Sequence, residues 1–302
     1  MNILKSTVSQ NNDILIIKVG KDANADFFQH VSACVNPGIK LSLIAIDNTF
    51  PNILELSLKI ALYMNKKGMG VIGICWDLTE DDENGNSTEP PIEIQLSKLK
   101  DNMDAVIILR DNDISQNEFS FGHGEVVEML LAFYKDDPTN RGEKIAKAFK
   151  NTGFAYYNLQ YREDAWNSEA LMDYTIFDTM FKCSLYVAKQ AFCLLEGGSE
   201  FTFSEGNDLG DEGIMTSYLE DYLSPQAKIN VIASRVDSMP AFAVTVRLLV
   251  FDIDEKHYVF NDSGSWQYPA TDNERLGRRI DRMMQLPFHN NIKRKKYIEV
   301  KK

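Results

Sequence analysis

Short runs of branched apolar residues recur through the first half of the chain. Ile14 to Val19 (ILIIKV), Leu41 to Ile46 (LSLIAI), Gly70 to Trp76 (GVIGICW) and Ala105 to Leu109 (AVIIL) are each bounded by turn formers. A strand with one wet face would alternate apolar and polar residues, so continuous runs predict strands buried on both faces of a parallel sheet. Between the runs the period becomes helical. In the stretch from Pro51 to Gly68, residues Ile53, Leu56, Ile60, Ala61 and Met64 share one face. Pro51 suits a first helical turn and Gly68 a stop. Strand and helix alternating at this spacing predict right-handed crossovers and a three-layer α/β domain.

The second half has a different pattern. Helices are predicted over RGEKIAKAFKN (141–151) and over MDYTIFDTMFKCSLYVAKQAFCLLEGG (172–198), on either side of the run GFAYYNLQY. Two strands follow, KINVIASRV and FAVTVRLLVFDI, joined by the turn DSMP. Strands joined so tightly are expected to be antiparallel neighbours. The pattern predicts an α/β subdomain with a parallel sheet over residues 1–140 and an α+β subdomain with a mixed or antiparallel sheet over 141–262. A basic C-terminal helix and tail occupy 263–302. The segments Asp77 to Pro91 and Glu205 to Gly213 are acidic and rich in helix breakers, and their acids lack the spacing of a calcium loop. They read as solvated loops.

Composition narrows the function classes. The 302 residues, 44% of them apolar, can fill one large core or two smaller ones. Lysine and arginine total 32 against 44 acids, a net charge of −12, which disfavours a nucleic-acid binder. Cys34, Cys75, Cys183 and Cys193 show no close-spaced metal or redox pairing and read as core residues in a reducing compartment. The first residues lack the apolar core of a signal peptide, and no apolar run is long enough to span a bilayer. A cytoplasmic protein is expected.

The chemistry of the chain is sparse. The strand ILIIKV runs through GKDANADFF into a helix, with Gly20 at the turn. Phosphate loops use several glycines so that successive N–H groups approach an anion, whereas here Gly20 stands alone and Asp22 adds like charge. Of the four histidines, His123 in FSFGHGEVVEML lies at a helix start after the strand that ends in RDNDI. Its place at the carboxyl edge of the sheet makes His123, with Asp111 and Asp113, the alternative enzymatic cluster of a nucleotide-binding or hydrolase domain. Asp and His at a helix entry are also ordinary capping chemistry. No metal-ligand pattern is present.

The order of these segments resembles the tubulin and FtsZ superfamily. IIKVGKDANADFF is similar to the family's first strand and the loop entering its first helix, with Gly20 and Asn24 as surviving members. The stretch from Pro51 to Trp76 resembles the helix and strand after the glycine-rich signature loop, and LSKLKDNMDAVIILRDNDI the next helix and strand. IAKAFKNTGFAYYN looks like the start of the C-terminal subdomain, and INVIASRVDSMPAFAVTVRLLVFD like its last strand pair. The resemblance implies a degenerate Rossmann-like GTPase domain joined to an α+β subdomain. It also locates departures. The signature loop falls at DNTFPN, which has no glycine, and the activating loop falls at DDPTNRGEK, where only Asp136, Asp137 or Glu143 could supply its acid. A vestigial nucleotide pocket made of Gly20, Lys21, Asn24, Asp47, Asn48 and Thr49 follows, with no catalytic residue, no metal and no cofactor. The implied function is a non-hydrolysing, FtsZ-like scaffold or filament protein of cell division or membrane remodelling. Its expected partners are further copies of itself or a true FtsZ. The C-terminal arginines 275, 278, 279 and 282 and the basic run from Lys293 to Lys296 would add an anionic membrane or an acidic partner.

Overall fold

The computed structural model describes residues 5–47, 51–76, 97–109, 121–162, 175–176, 185, 188–201 and 210–253. The chain divides into two compact units. The first comprises residues 1–158 with 189–192 and 249–253, and the second comprises 159–188, 193–248 and 254–302.

In the first unit, β1 (Thr7–Asn11) pairs antiparallel with β2 (Ile14–Val19). From β2 the order runs through β3 (Leu41–Ile46), β4 (Gly70–Trp76), β5 (Ala105–Leu109) and β6 (Gly153–Arg162), each parallel to the one before it. The four apolar runs are therefore the central strands, and β3 is buried along its whole length, which requires cover on both faces. Helix α1 (Ala25–Cys34) follows β2 and packs on α2 (Pro51–Lys66), which lies against β2, β3 and β4. Ile53, Ile60, Ala61 and Met64 of α2 are buried as predicted, whereas Leu56 is half-buried at the margin of the face. Gly68, at φ 77°, ends the helix. Its N–H donates to Asn65 O and that of Met69 to Met64 O, the paired bonds of a Schellman cap.

Helix α3 (Phe121–Phe133) leads to α4 (Arg141–Ala148), which packs on β3 and β4. A side chain at Gly70 would bring its Cβ within 2.5 Å of Ala146 Cβ, so only glycine admits the helix this close. An aromatic cluster closes the unit: Phe149 stacks on Phe251 at 4.3 Å, Phe133 on Phe192 at 4.4 Å, and Phe192 meets Phe251 edge-on at 5.0 Å.

The second unit holds most of β7 (Ala188–Gly197), helix α5 (Gly210–Glu220), β8 (Lys228–Arg235) and the first half of β9 (Val244–Ile253), with strand order β9-β7-β8. The Gly198 N–H donates to Ala243 O, so the end of β7 meets the start of β9 and the two are antiparallel. The Val236 N–H donates to Gly197 O, so β8 ends where β7 ends and the two run parallel. Arg247 on β9 is paired with Glu196 on β7.

An α/β fold with a mostly parallel sheet and added antiparallel strands is the predicted class. Three details correct the sequence reading. Residues 188–197 form β7 and not the end of a helix, because pairing with two strands outweighs the helical propensity of AKQAFCLLEG. The strands across DSMP run in opposite directions but are not neighbours, since β7 lies between them. Residues 210–213, assigned to a loop, open α5. The first acidic loop (77–91), Cys183 and the basic tail (263–302) lie outside the described residues. Cys75 and Cys193 are buried and Cys34 is half-buried; burial pushes the Cys193 thiol up to about 12. Among the described residues no helix is long and apolar enough to cross a membrane, and no cluster of ligands could hold a metal ion.

Candidate functional site

Parallel strands end at a common edge, and the candidate site forms where β2 and β3 end side by side. Val19 is paired with Ile46, so Gly20 and Asp47 leave the sheet next to each other, and the Asp47 N–H donates to Val19 O at 3.0 Å. The strand-turn-helix and the DNTFPN segment are thereby adjacent. Asn48 and Thr49 lie outside the described residues.

Three N–H donors at the turn and the start of α1 are engaged within the chain, the Ala23 N–H on Gly20 O among them. The Gly20 N–H donates to the Ser6 hydroxyl at 3.1 Å. That hydroxyl donates to Asp22 Oδ1 at 2.6 Å, and the Ser6 N–H donates to the same oxygen at 2.9 Å. The Ser6 hydroxyl first, and then its N–H, hold the Asp22 carboxyl below its usual range. At the start of α1, Asn24 is an N-cap whose side chain accepts from the Phe27 N–H at 3.1 Å. Carboxylates at Asp22, Asp26 and Asp47 surround this turn, with Lys21 as the cation inside it. A phosphate arriving here would have to displace Ser6 from the Gly20 N–H and Asn24 from the helix end, and would meet three like charges.

His123 reaches the same edge from the first turn of α3. It is 1% exposed, with the Ile46 backbone beside its ring. Burial, and secondly the charge of Lys18, push its pKa down to about 4, so the imidazole is neutral near pH 7. Asp111 and Asp113, its expected partners, lie outside the described residues.

The acids of the DDPTNRGEK segment are placed by contacts inside the chain. Asp137 forms an ion pair with Lys144 at 2.8 Å and accepts from Thr139 and Asn140, and Lys144 foremost holds its carboxyl below the usual range. Asp136 is exposed. The Glu143 and Gly142 N–H groups at the start of α4 donate to Asp13, at 3.1 and 2.9 Å. Sequence reasoning missed Asp13. Its carboxylate caps a helix 129 residues away, and only its position before a buried strand marked it.

Neither a family model nor a curated protein sequence matches the chain. Among solved structures it is similar to an empty FtsZ dimer from M. jannaschii, with TM-score 0.47 and 12% identity over 74% of this chain and 66% of that one. This chain thus spans just under two thirds of the FtsZ chain it matches. It is similar to CetZ1 from Haloferax volcanii in a GDP-bound monomer, with TM-score 0.41 and 13% identity over 74% of this chain and 68% of that one. The third is TubZ of Bacillus thuringiensis serovar israelensis in a GTPγS-form protofilament, with TM-score 0.47 and 8% identity over 87% and 74%. These are likenesses of architecture, in the superfamily that the segment order resembles.

Proposed function

We propose that the chain is a tubulin/FtsZ-like scaffold or filament subunit that does not turn over GTP, acting in the cytoplasm in cell division or membrane remodelling, alone or beside a true FtsZ. The observation that carries this reading is the Gly20 turn, whose N–H is taken by Ser6 while Asn24 takes the Phe27 N–H of α1. A loop built to hold phosphate presents such donors outward. The neighbouring segment DNTFPN offers no glycine to replace them. The second half of a composite GTPase site is also compromised, because Asp137 is neutralised by Lys144 and the backbone of Glu143 is tied to Asp13.

The alternative reading, an enzyme centred on His123, is disfavoured by burial. A side chain 1% exposed cannot meet a substrate without opening of the fold around it. Assembly is proposed from the segment order that the chain shares with a family of filament proteins. A contact joining two different patches generates an open row and not a closed dimer. Assembly without a nucleotide gate depends on protein concentration alone. Analytical ultracentrifugation across a concentration series, with and without GTP and magnesium, tests this. The expected result is growth of large species at the same threshold in both series. A monomer at every concentration, or a threshold that moves with GTP, contradicts it.

A further inference from the structure

The outer surface of the α1–α2 pair carries a second kind of chemistry. Phe28 of α1 and Tyr63 of α2 meet edge to face at 5.7 Å, and both rings are half-buried. Lys59 Nζ stands 4.7 Å above the Phe28 ring, and Lys67 Nζ stands 5.5 Å from the Tyr63 ring. Leu62 is 45% exposed, among the few large apolar side chains so open in the described residues. Lys59, Leu62, Tyr63 and Lys66 follow the spacing i, i+3, i+4, i+7, so they form one stripe with Lys67 beside it. Among the described residues no carboxylate lies within ion-pair distance of these three lysines; Glu55, one turn earlier, and Asp26 of α1 are the nearby acids in sequence. On a chain of net charge −12, three lysines around an aromatic and aliphatic island are opposite in sign to the whole.

We propose that this face docks an acidic polypeptide segment of a partner protein, its carboxylates meeting Lys59, Lys66 and Lys67 and one apolar side chain covering Leu62 beside the Phe28–Tyr63 pair. Charge complementarity selects the occupant. A two-fold contact of the face with itself would oppose lysine to lysine. A membrane would demand a broader apolar face than one exposed leucine between ordered rings supplies.

The probe is a fluorescein-labelled peptide with the sequence of residues 77–91 of this chain, an acidic run containing Leu78 and no basic residue. Fluorescence anisotropy at low salt should show binding to the full chain. The charge reversal Lys59→Glu, Lys66→Glu, Lys67→Glu should weaken it at least about tenfold, and Leu62→Ser about threefold. Thermal melts should show both variants folded, since the substituted side chains are exposed. Absence of peptide binding to the native chain overturns the proposal. So does undiminished binding by the charge-reversed variant, which would assign the peptide to the basic C-terminal segment. Sedimentation with phosphatidylserine vesicles through these lysines, without peptide binding, would make the face a membrane surface instead.

Discussion

Asp13 and Asp22 stand at opposite ends of β2, and each carboxylate collects hydrogen bonds from elsewhere in the chain. At the amino edge of the sheet, Asp13 is 5% exposed and holds the Gly142 and Glu143 N–H groups of α4. Its own carbonyl accepts from the Lys40 and Leu41 N–H groups, and Asn12 beside it donates to Pro138 O. At the carboxyl edge, Asp22 is exposed, and it holds Ser6, which in turn holds Gly20. The two sites share a chemistry and differ in solvent. A buried charge-assisted bond is expensive to break because its partners are left dry, whereas water replaces an exposed one. The amino edge is therefore a structural joint, and the carboxyl edge is a turn closed by local contacts.

The largest test of that contrast is Asp13→Ala. It removes two charge-assisted bonds and strands the buried Gly142 N–H at the start of α4, so a loss of about 2–4 kcal/mol is expected. Urea denaturation monitored by circular dichroism reads the loss. A cost below about 1 kcal/mol would erase the distinction between the two edges.

At the carboxyl edge, buried His123 yields the next largest effect. The folded pKa of His123 lies below its unfolded value of 6.5, at about 4. Between those limits the unfolded chain binds more protons than the folded one. Stability contributed by neutral His123 is therefore complete above about pH 6.5 and declines as pH falls toward about 4, by up to roughly 3 kcal/mol. Denaturation curves across this window, compared with those of His123→Leu, should show the extra slope only in the native sequence. Equal slopes would mean that the imidazole is solvated, and would revive the enzymatic reading.

The smallest effect is expected at Ser6. Ser6→Ala removes an exposed hydrogen bond to Asp22 and a part-buried one from Gly20 and should cost about 1 kcal/mol. The depressed Asp22 carboxyl contributes stability above its unfolded pKa of 3.8, lost as pH falls through its lower folded value. Thermal melts at neutral pH, where both states hold Asp22 ionised, isolate the Ser6 contribution. A loss of about 2 kcal/mol or more would make the turn a joint like that at Asp13.

The same contrast explains what was legible in the sequence. Strands β2 to β5 were readable because both of their faces are largely buried and all positions but Lys18 and Ser42 are apolar, and α2 because Pro51 and Gly68 punctuate it. Strand β1 was missed because TVSQN is a polar edge strand with mostly exposed residues, which needs only one paired side. Strand β7 was mistaken for helix because its state is set by pairing with distant strands, to which local periodicity is blind. At the candidate site, the lone Gly20 and the Asn24 cap were visible in the sequence. The grip of Ser6 on that turn spans 14 residues and that of Asp13 on α4 spans 129, so neither leaves a local pattern.

The central claim concerns the turn at Gly20, and isothermal titration calorimetry with GTP and magnesium tests it most directly. With the Gly20 N–H engaged by Ser6, the Phe27 N–H by Asn24, and Asp22 within the turn, the chain should give no binding heat at micromolar GTP. Saturable binding with a Kd of about 1 μM, worth about 8 kcal/mol, would require the Ser6 contact to open and a working phosphate loop to lie beneath it. That result would contradict the account.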